Sequence, residues 1–399
     1  MAQSNQSLRL VCLLGAIFGM SFNLCMSSNT FASPPVPSPR YQTEGVTPDL
    51  LPVMVDQLKA RMTYPMAWSS DVEDLVQWRR KGQEKLWSLT WQVPTSVPFD
   101  PVVVDEVDRG TYIARKVAFN LTQDSRVLGL LLIPKGSGPF PSAVFYHDHG
   151  ARFDIGKEKL IRTWNDPYRL AASQVWAERY FSGRFPGDVL AERGYMVLAV
   201  DALGWGDRGP MSYEDQQALA ANMANLGSSM AGLMAYEDVR AAEFLAAQPE
   251  TDAERVAAIG FSMGAFRAWQ AAALSDAVKA SIAINWMAPA KQLMVPGNNQ
   301  LRGGSAWQML HPGLLRFLDY PDVASLAAPK PMLLLAGDQD PLFPPEAVYQ
   351  AWDKMAKVWK AWGYPDRLSV KMWSGSHVFI DQQQDYAYDW LTRMWSAAP

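Results

Sequence analysis

The sequence predicts an α/β protein with a mostly parallel central sheet covered by helices on both faces. Short apolar runs alternate with stretches of helical periodicity along most of the chain, as expected for buried parallel strands and their crossover helices. One run, 256–259, leads directly into Gly260-Phe-Ser262-Met-Gly264 and then into a helical stretch. With 399 residues, the chain is long enough for one large domain with an extra layer.

The first 32 residues are predicted to be a signal peptide. The charge of Arg9 precedes an apolar run, 10–20, that is too short for a comfortable membrane span. Thr30-Phe31-Ala32 has the small-x-small pattern of a cleavage site, so we expect cleavage near Ala32, export to the periplasm or the medium, and no stable membrane insertion afterwards. An uncleaved anchor and lipid attachment at Cys25 are the alternatives.

The composition excludes some function classes. A net charge of −4 gives no reason to expect a nucleic-acid partner. Both cysteines, Cys12 and Cys25, lie inside the predicted signal peptide. The mature chain would therefore have no thiol nucleophile and no cysteine-ligated metal. Nothing in the sequence indicates the oligomeric state.

The elements follow in order from a predicted tether and N-terminal helical extension over 33–100, which is helical from Thr47 to about Leu89. The predicted strands are 102–104, 112–119, 127–133, 143–146, 196–201, 256–259, 280–285, 331–335 and 368–372. The predicted helices after 101 are 185–193, 213–224, 229–247, 265–274, 345–362 and 383–395. The first strands are expected at one edge in antiparallel order. The irregular stretch 286–328 is predicted to be a small, lid-like insertion after the sixth strand.

Ser262 is predicted to be a nucleophile on a tight strand-to-helix turn. The flanking glycines, Gly260 and Gly264, suit a turn without room for Cβ atoms. The helix that follows would offer the Met263 N–H and a favourable dipole to a developing oxyanion. The alternative is a bystander serine in a glycine turn.

A serine nucleophile needs a base, and the base needs a third group to orient it. The candidate bases are the four histidines, His147, His149, His311 and His377. His377 is favoured because it directly follows the last apolar strand. Asp338 and Asp340 both follow strand 331–335. Asp340 is favoured as the acid because it begins a proline-fixed turn, whereas Asp338 is expected to bond the backbone of the turn.

The order Ser262, Asp340, His377 resembles that of the α/β-hydrolase family, from about Val102 to the end of the sequence. The segments His147-Asp-His-Gly150 and Gly204-Trp-Gly-Asp-Arg208 resemble its dienelactone-hydrolase and acetyl-xylan-esterase-like branch. The resemblance implies a catalytic domain over 101–399 and a cofactor-independent serine esterase. Dienelactone hydrolases proper have a cysteine in place of Ser262, so lactone cleavage does not carry over.

The resemblance also suggests how a substrate would be held. The second oxyanion donor is expected to be the N–H of His149, with Gly150 as the alternative. His147 and His149 could instead ligate a metal, although we expect none. Phe261, Trp286 and Trp205 are predicted to contact a short-acyl carbohydrate ester. A serine peptidase and a catalytically inactive binding module are the rival functions.

Overall fold

The computed structural model describes residues 50–90, 97–302 and 306–396. In these ranges the strands are β1 (Val102–Asp108), β2 (Tyr112–Asn120), β3 (Arg126–Pro134), β4 (Phe140–Tyr146), β5 (Met196–Ala199), β6 (Thr251–Phe261), β7 (Ala280–Ile284), β8 (Met332–Gly337) and β9 (Leu368–Trp373). The helices are α1 (Leu50–Arg61), α2 (Leu75–Trp87), α3 (Pro167–Tyr180), α4 (Pro186–Glu192), α5 (Tyr213–Asn225), α6 (Met230–Ala246), α7 (Met263–Leu274), α8 (Ala290–Leu293), α9 (Asn299–Arg302), α10 (Tyr320–Ser325), α11 (Pro345–Ala361) and α12 (Asp381–Ser396). The predicted signal peptide and the tether up to residue 49 lie outside the described residues.

The strands form a single sheet in the order β1-β2-β3-β5-β4-β6-β7-β8-β9. The pairs β1–β2, β2–β3 and β3–β5 are antiparallel, and all later pairs are parallel. The predicted fold class and the antiparallel edge are therefore confirmed. One detail is wrong: the stretch 286–328 follows β7, the seventh strand in the chain, and not the sixth.

Helices cover both faces of this sheet because side chains alternate between the faces along each strand. In β4, Val144 and Tyr146 face a core built from α2, α6, α7, α10 and α11. Ala143 and Phe145 face the opposite core, which α3, α4 and α12 complete. A central strand buried on both faces explains why β4 reads as a continuous apolar run.

The helix that follows β6 is fixed to its neighbour by a buried ion pair. Arg267 of α7 donates two hydrogen bonds to the carboxylate of Asp238 of α6, at 2.9 and 2.7 Å. Both side chains are almost inaccessible to solvent. The Tyr146 hydroxyl donates to the Asp238 carbonyl oxygen at 2.8 Å, so α6, α7 and β4 are held together directly beneath the turn that carries Ser262.

In the part of the chain that the structure describes, no helix is both long and apolar enough to span a membrane. The described residues from Leu51 onwards form one structural unit. The predicted helical extension is represented in it by α1 and α2. In the described part of the stretch 286–328, which leaves out 303–305, there are three short α-helices, α8, α9 and α10.

Candidate active site

Ser262 lies at the junction of β6 and α7, in a backbone conformation that favours glycine, with φ 56° and ψ −126°. The chain turns so tightly that a Cβ atom on Gly260 would lie 2.0 Å from the carbonyl oxygen of Gly264. A Cβ atom on Gly264 would lie 2.0 Å from the carbonyl oxygen of Tyr146. Both flanking positions therefore require glycine, and the serine between them is strained.

His377 and Asp340 form a short hydrogen bond between the loops that follow β9 and β8. The distance from His377 Nδ1 to Asp340 Oδ2 is 2.6 Å. The other carboxylate oxygen of Asp340 accepts a hydrogen bond from the Leu342 N–H at 2.9 Å. Asp338 is exposed, and its Oδ1 accepts from the Gly375 N–H at 2.9 Å. The structure thus brings Asp340 to His377 and leaves Asp338 bonded to the backbone of the loop.

The His377 loop is held in place by contacts that the sequence did not indicate. Asn285, at the end of β7, donates from its side chain to the Val378 carbonyl oxygen at 3.0 Å. The Phe379 N–H donates to the carbonyl oxygen of Tyr180 at 2.9 Å. The imidazole of His377 lies 4.9 Å from the ring of Phe261, measured between centroids. His377 is thereby fixed where it lines a cavity.

This cavity has a volume of about 260 Å³, and both Ser262 and His377 line it. The remaining lining residues are Asp148, His149, Gly150, Ala151, Trp176, Tyr180, Tyr213, Phe261 and Leu342. The loop after β4 and helix α3 supply most of one wall.

Helix α3 is missing from the sequence-based prediction, although it contributes Trp176 and Tyr180 to the cavity. The sequence nevertheless contains a start signal for this helix at Asp166 and Pro167. The Asp166 side chain accepts from the Arg169 N–H at 3.0 Å, and Pro167 occupies the first turn. An aspartate followed by proline is a common helix start.

Two predicted substrate contacts need correction, because Trp205 and Trp286 do not line the cavity. Trp205 is 1% exposed and packs against the imidazoles of His147 and His149. Trp286 is 4% exposed and packs on Phe266 of α7. Both rings support the site from behind. Phe261 does line the cavity.

His147 and His149 are buried among aromatic and charged groups. His147 Nδ1 lies 2.9 Å from the Asp148 carbonyl oxygen, and its Nε2 accepts from the Ala202 N–H at 3.0 Å. These bonds fit a neutral ring protonated on Nδ1, and burial lowers the pKa of His147 well below its usual range. Burial also lowers the pKa of His149 to about 3. His311 is buried elsewhere, with Nε2 2.7 Å from the side-chain oxygen of Gln270.

Three carboxylates lie together behind the cavity, those of Glu158, Asp201 and Asp207. They surround the ammonium of Lys157, whose Nζ is 3.0, 2.6 and 2.6 Å from them, respectively. Burial alone would lower the pKa of Lys157, but the three negative charges raise it above its usual value. The lysine thus occupies the position that a metal ion would take in such a cluster.

A sheet of this topology, with a serine on a strained turn between a central strand and its helix, defines the α/β-hydrolase fold. The sequence profile of the dienelactone hydrolase family matches residues 186–397. The protein therefore belongs to the dienelactone hydrolase family.

Individual relatives agree with this placement. The chain is 26% identical over 300 residues to YtaP of Bacillus subtilis, which is provisionally named a hydrolase. The aligned region covers 75% of this chain and 94% of YtaP. A Bacteroides fragilis protein, provisionally described as an acetyl xylan esterase, superposes with a TM-score of 0.65 at 19% identity over 83% of this chain and 84% of that one. A glucuronoyl esterase from Solibacter usitatus superposes with a TM-score of 0.60 at 13% identity, over 83% of this chain and 97% of that one. At these identities the two structures support the fold alone.

Proposed function

We propose that this protein is an exported serine esterase that removes short acyl groups from carbohydrates. The observation that carries the proposal is the pairing of a strained Ser262 with a histidine that lines the same cavity and is bonded to a buried aspartate. Export is proposed from the predicted signal peptide, 1–32. Esters are favoured as substrates because a serine with a histidine base and an oxyanion site performs acyl transfer.

In the proposed reaction, the Ser262 hydroxyl attacks the ester carbonyl carbon while His377 Nε2 takes its proton. Asp340 holds the Nδ1–H of His377 and stabilises the imidazolium that forms. The backbone N–H groups of Met263 and His149 receive the negative oxygen. The imidazolium then protonates the leaving alcohol. Water, deprotonated by His377, hydrolyses the acyl-enzyme and restores Ser262.

The size and lining of the cavity support a small acyl group. Its volume of about 260 Å³ is below the roughly 300–1,000 Å³ that is common for ligand pockets. The rings of Trp176 and Tyr213 suit the flat faces of a sugar. Structural neighbours of this fold are named as acetyl xylan and glucuronoyl esterases, so a carbohydrate ester is a substrate class that the proposal can adopt from their names.

A labelling experiment tests the nucleophile. A fluorophosphonate should label the wild-type protein on Ser262, and Ser262→Ala should abolish labelling and lower kcat/KM for p-nitrophenyl acetate by roughly 10⁴–10⁶-fold. Ser228→Ala is the control, since Ser228 is a buried serine that lies outside the cavity lining. Labelling that persists in Ser262→Ala would refute the assignment.

A substrate comparison tests the rest of the proposal. Wild-type activity is measured on p-nitrophenyl esters from acetate to decanoate, on acetylated oligosaccharides and on peptides. We expect a maximum at the short acyl chains and turnover of the acetylated sugars. Preferred cleavage of peptides would favour the serine peptidase, and no turnover together with no labelling would favour a binding module.

A further inference from the structure

Lys159 lies behind the cavity wall with its charged end in contact with the backbone of the loop after β4. Its side chain is fully buried. The ammonium donates to the carbonyl oxygen of Asp148 at 3.0 Å and to that of His149 at 3.1 Å. It also donates to the Asp148 carboxylate at 3.3 Å and lies 4.6 Å from the centre of the Trp176 ring. All three ammonium hydrogens thus have acceptors on this loop or its side chain.

Other side chains direct the same two carbonyl oxygens away from the cavity. His147 Nδ1 lies 2.9 Å from the Asp148 oxygen. The indole N–H of Trp205 donates to the His149 oxygen at 3.3 Å. Each carbonyl therefore has two donors, of which Lys159 is the one they share and the one that carries a charge.

The planarity of the peptide bond determines where the corresponding N–H groups point. In a trans peptide the C=O and the next residue's N–H point in opposite directions, and both peptides concerned are trans. With the oxygens of Asp148 and His149 directed at Lys159, the N–H groups of His149 and Gly150 are directed away from it. Both residues line the cavity. Among the described residues, neither N–H has a hydrogen-bond acceptor in the protein.

We propose that Lys159 is the positioning residue of the oxyanion site, orienting and polarising the N–H groups of His149 and Gly150 through their peptide planes. This inference rests on the proposed function, because it assigns a role in stabilising the tetrahedral intermediate. A cation on the oxygen side of a peptide draws electron density from its nitrogen, so the N–H becomes a stronger donor. Lys159 remains behind the wall and does not touch the substrate.

The test replaces the ammonium without changing the bulk of the side chain. Lys159→Met leaves the Asp148 carboxylate buried without its partner, so the double variant Lys159→Met/Asp148→Asn, in which no net charge is stranded, is made beside it. In whichever of these variants folds, kcat for p-nitrophenyl acetate should fall roughly 100-fold, while KM changes by less than about threefold. The Ki of phenylboronic acid, which binds serine hydrolases as a tetrahedral anion, should rise in proportion to the loss of kcat/KM.

A purely structural lysine would not produce that selective weakening of the anionic adduct. Lys116→Met is the matched control, since Lys116 also donates to a carbonyl oxygen, that of Trp164 at 2.8 Å, and lies over a tryptophan ring at 4.9 Å. Neither Lys116 nor Trp164 lines the cavity. It should leave kcat and the boronic acid Ki within about twofold.

The outcomes separate this inference from the proposed function. If the wild-type protein is inactive and no fluorophosphonate labels it, the proposed function itself is refuted. An active wild type with a folded Lys159→Met or double variant that keeps a third or more of kcat would overturn the positioning role alone. Failure of both variants to fold, judged by circular dichroism and thermal unfolding, would also overturn it, in favour of a structural role.

Discussion

Replacing Asp340 by asparagine should stop catalysis without unfolding the protein, for a reason that the hydrogen bonds make explicit. Asp340 Oδ1 accepts from the Leu342 N–H at 2.9 Å, and Oδ2 is 2.6 Å from His377 Nδ1. Only an oxygen can accept from the Leu342 N–H, so the asparagine must place its amide oxygen there. Its NH₂ group then faces Nδ1 of His377.

This arrangement forces the wrong form of the base. An NH₂ group facing Nδ1 requires that nitrogen to be an acceptor, so the ring proton moves to Nε2, the nitrogen that must accept the proton of Ser262. The imidazolium also loses its negative partner. We expect kcat/KM to fall about 10⁴-fold, which corresponds to about 5.5 kcal/mol of transition-state stabilisation.

The assay is initial-rate hydrolysis of p-nitrophenyl acetate, accompanied by thermal unfolding to show that the variant is folded. Asp338→Asn is the control, because the exposed Asp338 only accepts from the Gly375 N–H and an amide oxygen can do the same. It should change kcat/KM by no more than about twofold. A tenth or more of the activity remaining in Asp340→Asn, or a large loss in Asp338→Asn, would contradict the reasoning.

Three further predictions concern stability, specificity and metal dependence. Burial raises the pKa of Asp188 to about 6, so at intermediate pH the native state keeps a proton on Asp188 that the unfolded state has lost. The free energy of unfolding therefore falls as pH rises from the unfolded-state pKa through that value. Asp188→Asn should therefore gain about 2 kcal/mol relative to wild type between pH 4 and 7, measured by urea unfolding, and an equal difference at both pH values would contradict this. Tyr180 lines the cavity beside Phe261, with 6.2 Å between ring centres. Tyr180→Ala should raise the hexanoate-to-acetate ratio of kcat/KM about tenfold in the p-nitrophenyl series, and an unchanged ratio would place the acyl group elsewhere. Activity should survive exhaustive dialysis against a chelator, whereas loss restored by zinc would revive the metal-site interpretation of His147 and His149.

The sequence was sufficient to predict the fold class and most strands, because a parallel sheet buried on both faces leaves continuous apolar runs such as β4. Helix α3 was missed for a corresponding reason. Only its residues Ser173, Trp176 and Ala177 are buried, so its apolar periodicity is weak, and its start signal at Asp166 is local.

Side-chain placement near the cavity was harder to predict. The residues Ser262, Asp340 and His377 each follow the end of a parallel strand, so their positions in the chain indicate a common edge of the sheet. Trp205 and Trp286 also follow strands, but their rings turn inwards and pack beneath the loops. Lys159 gave no signal at all, because a lysine in a loop ordinarily faces water, and only the three-dimensional loop shows which oxygens enclose it.

The strained backbone at Ser262 implies a trade-off between durability and activity in this protein. A serine at φ 56° and ψ −126° occupies a conformation that costs on the order of 1–3 kcal/mol for a residue with a Cβ atom. Glycine would adopt the same turn without that cost, so random mutation selected for heat resistance alone would favour the loss of the hydroxyl. The protein with serine at this position is therefore less stable to heat than the inactive variant with glycine in its place. Selections for thermostable forms therefore need to score turnover alongside survival.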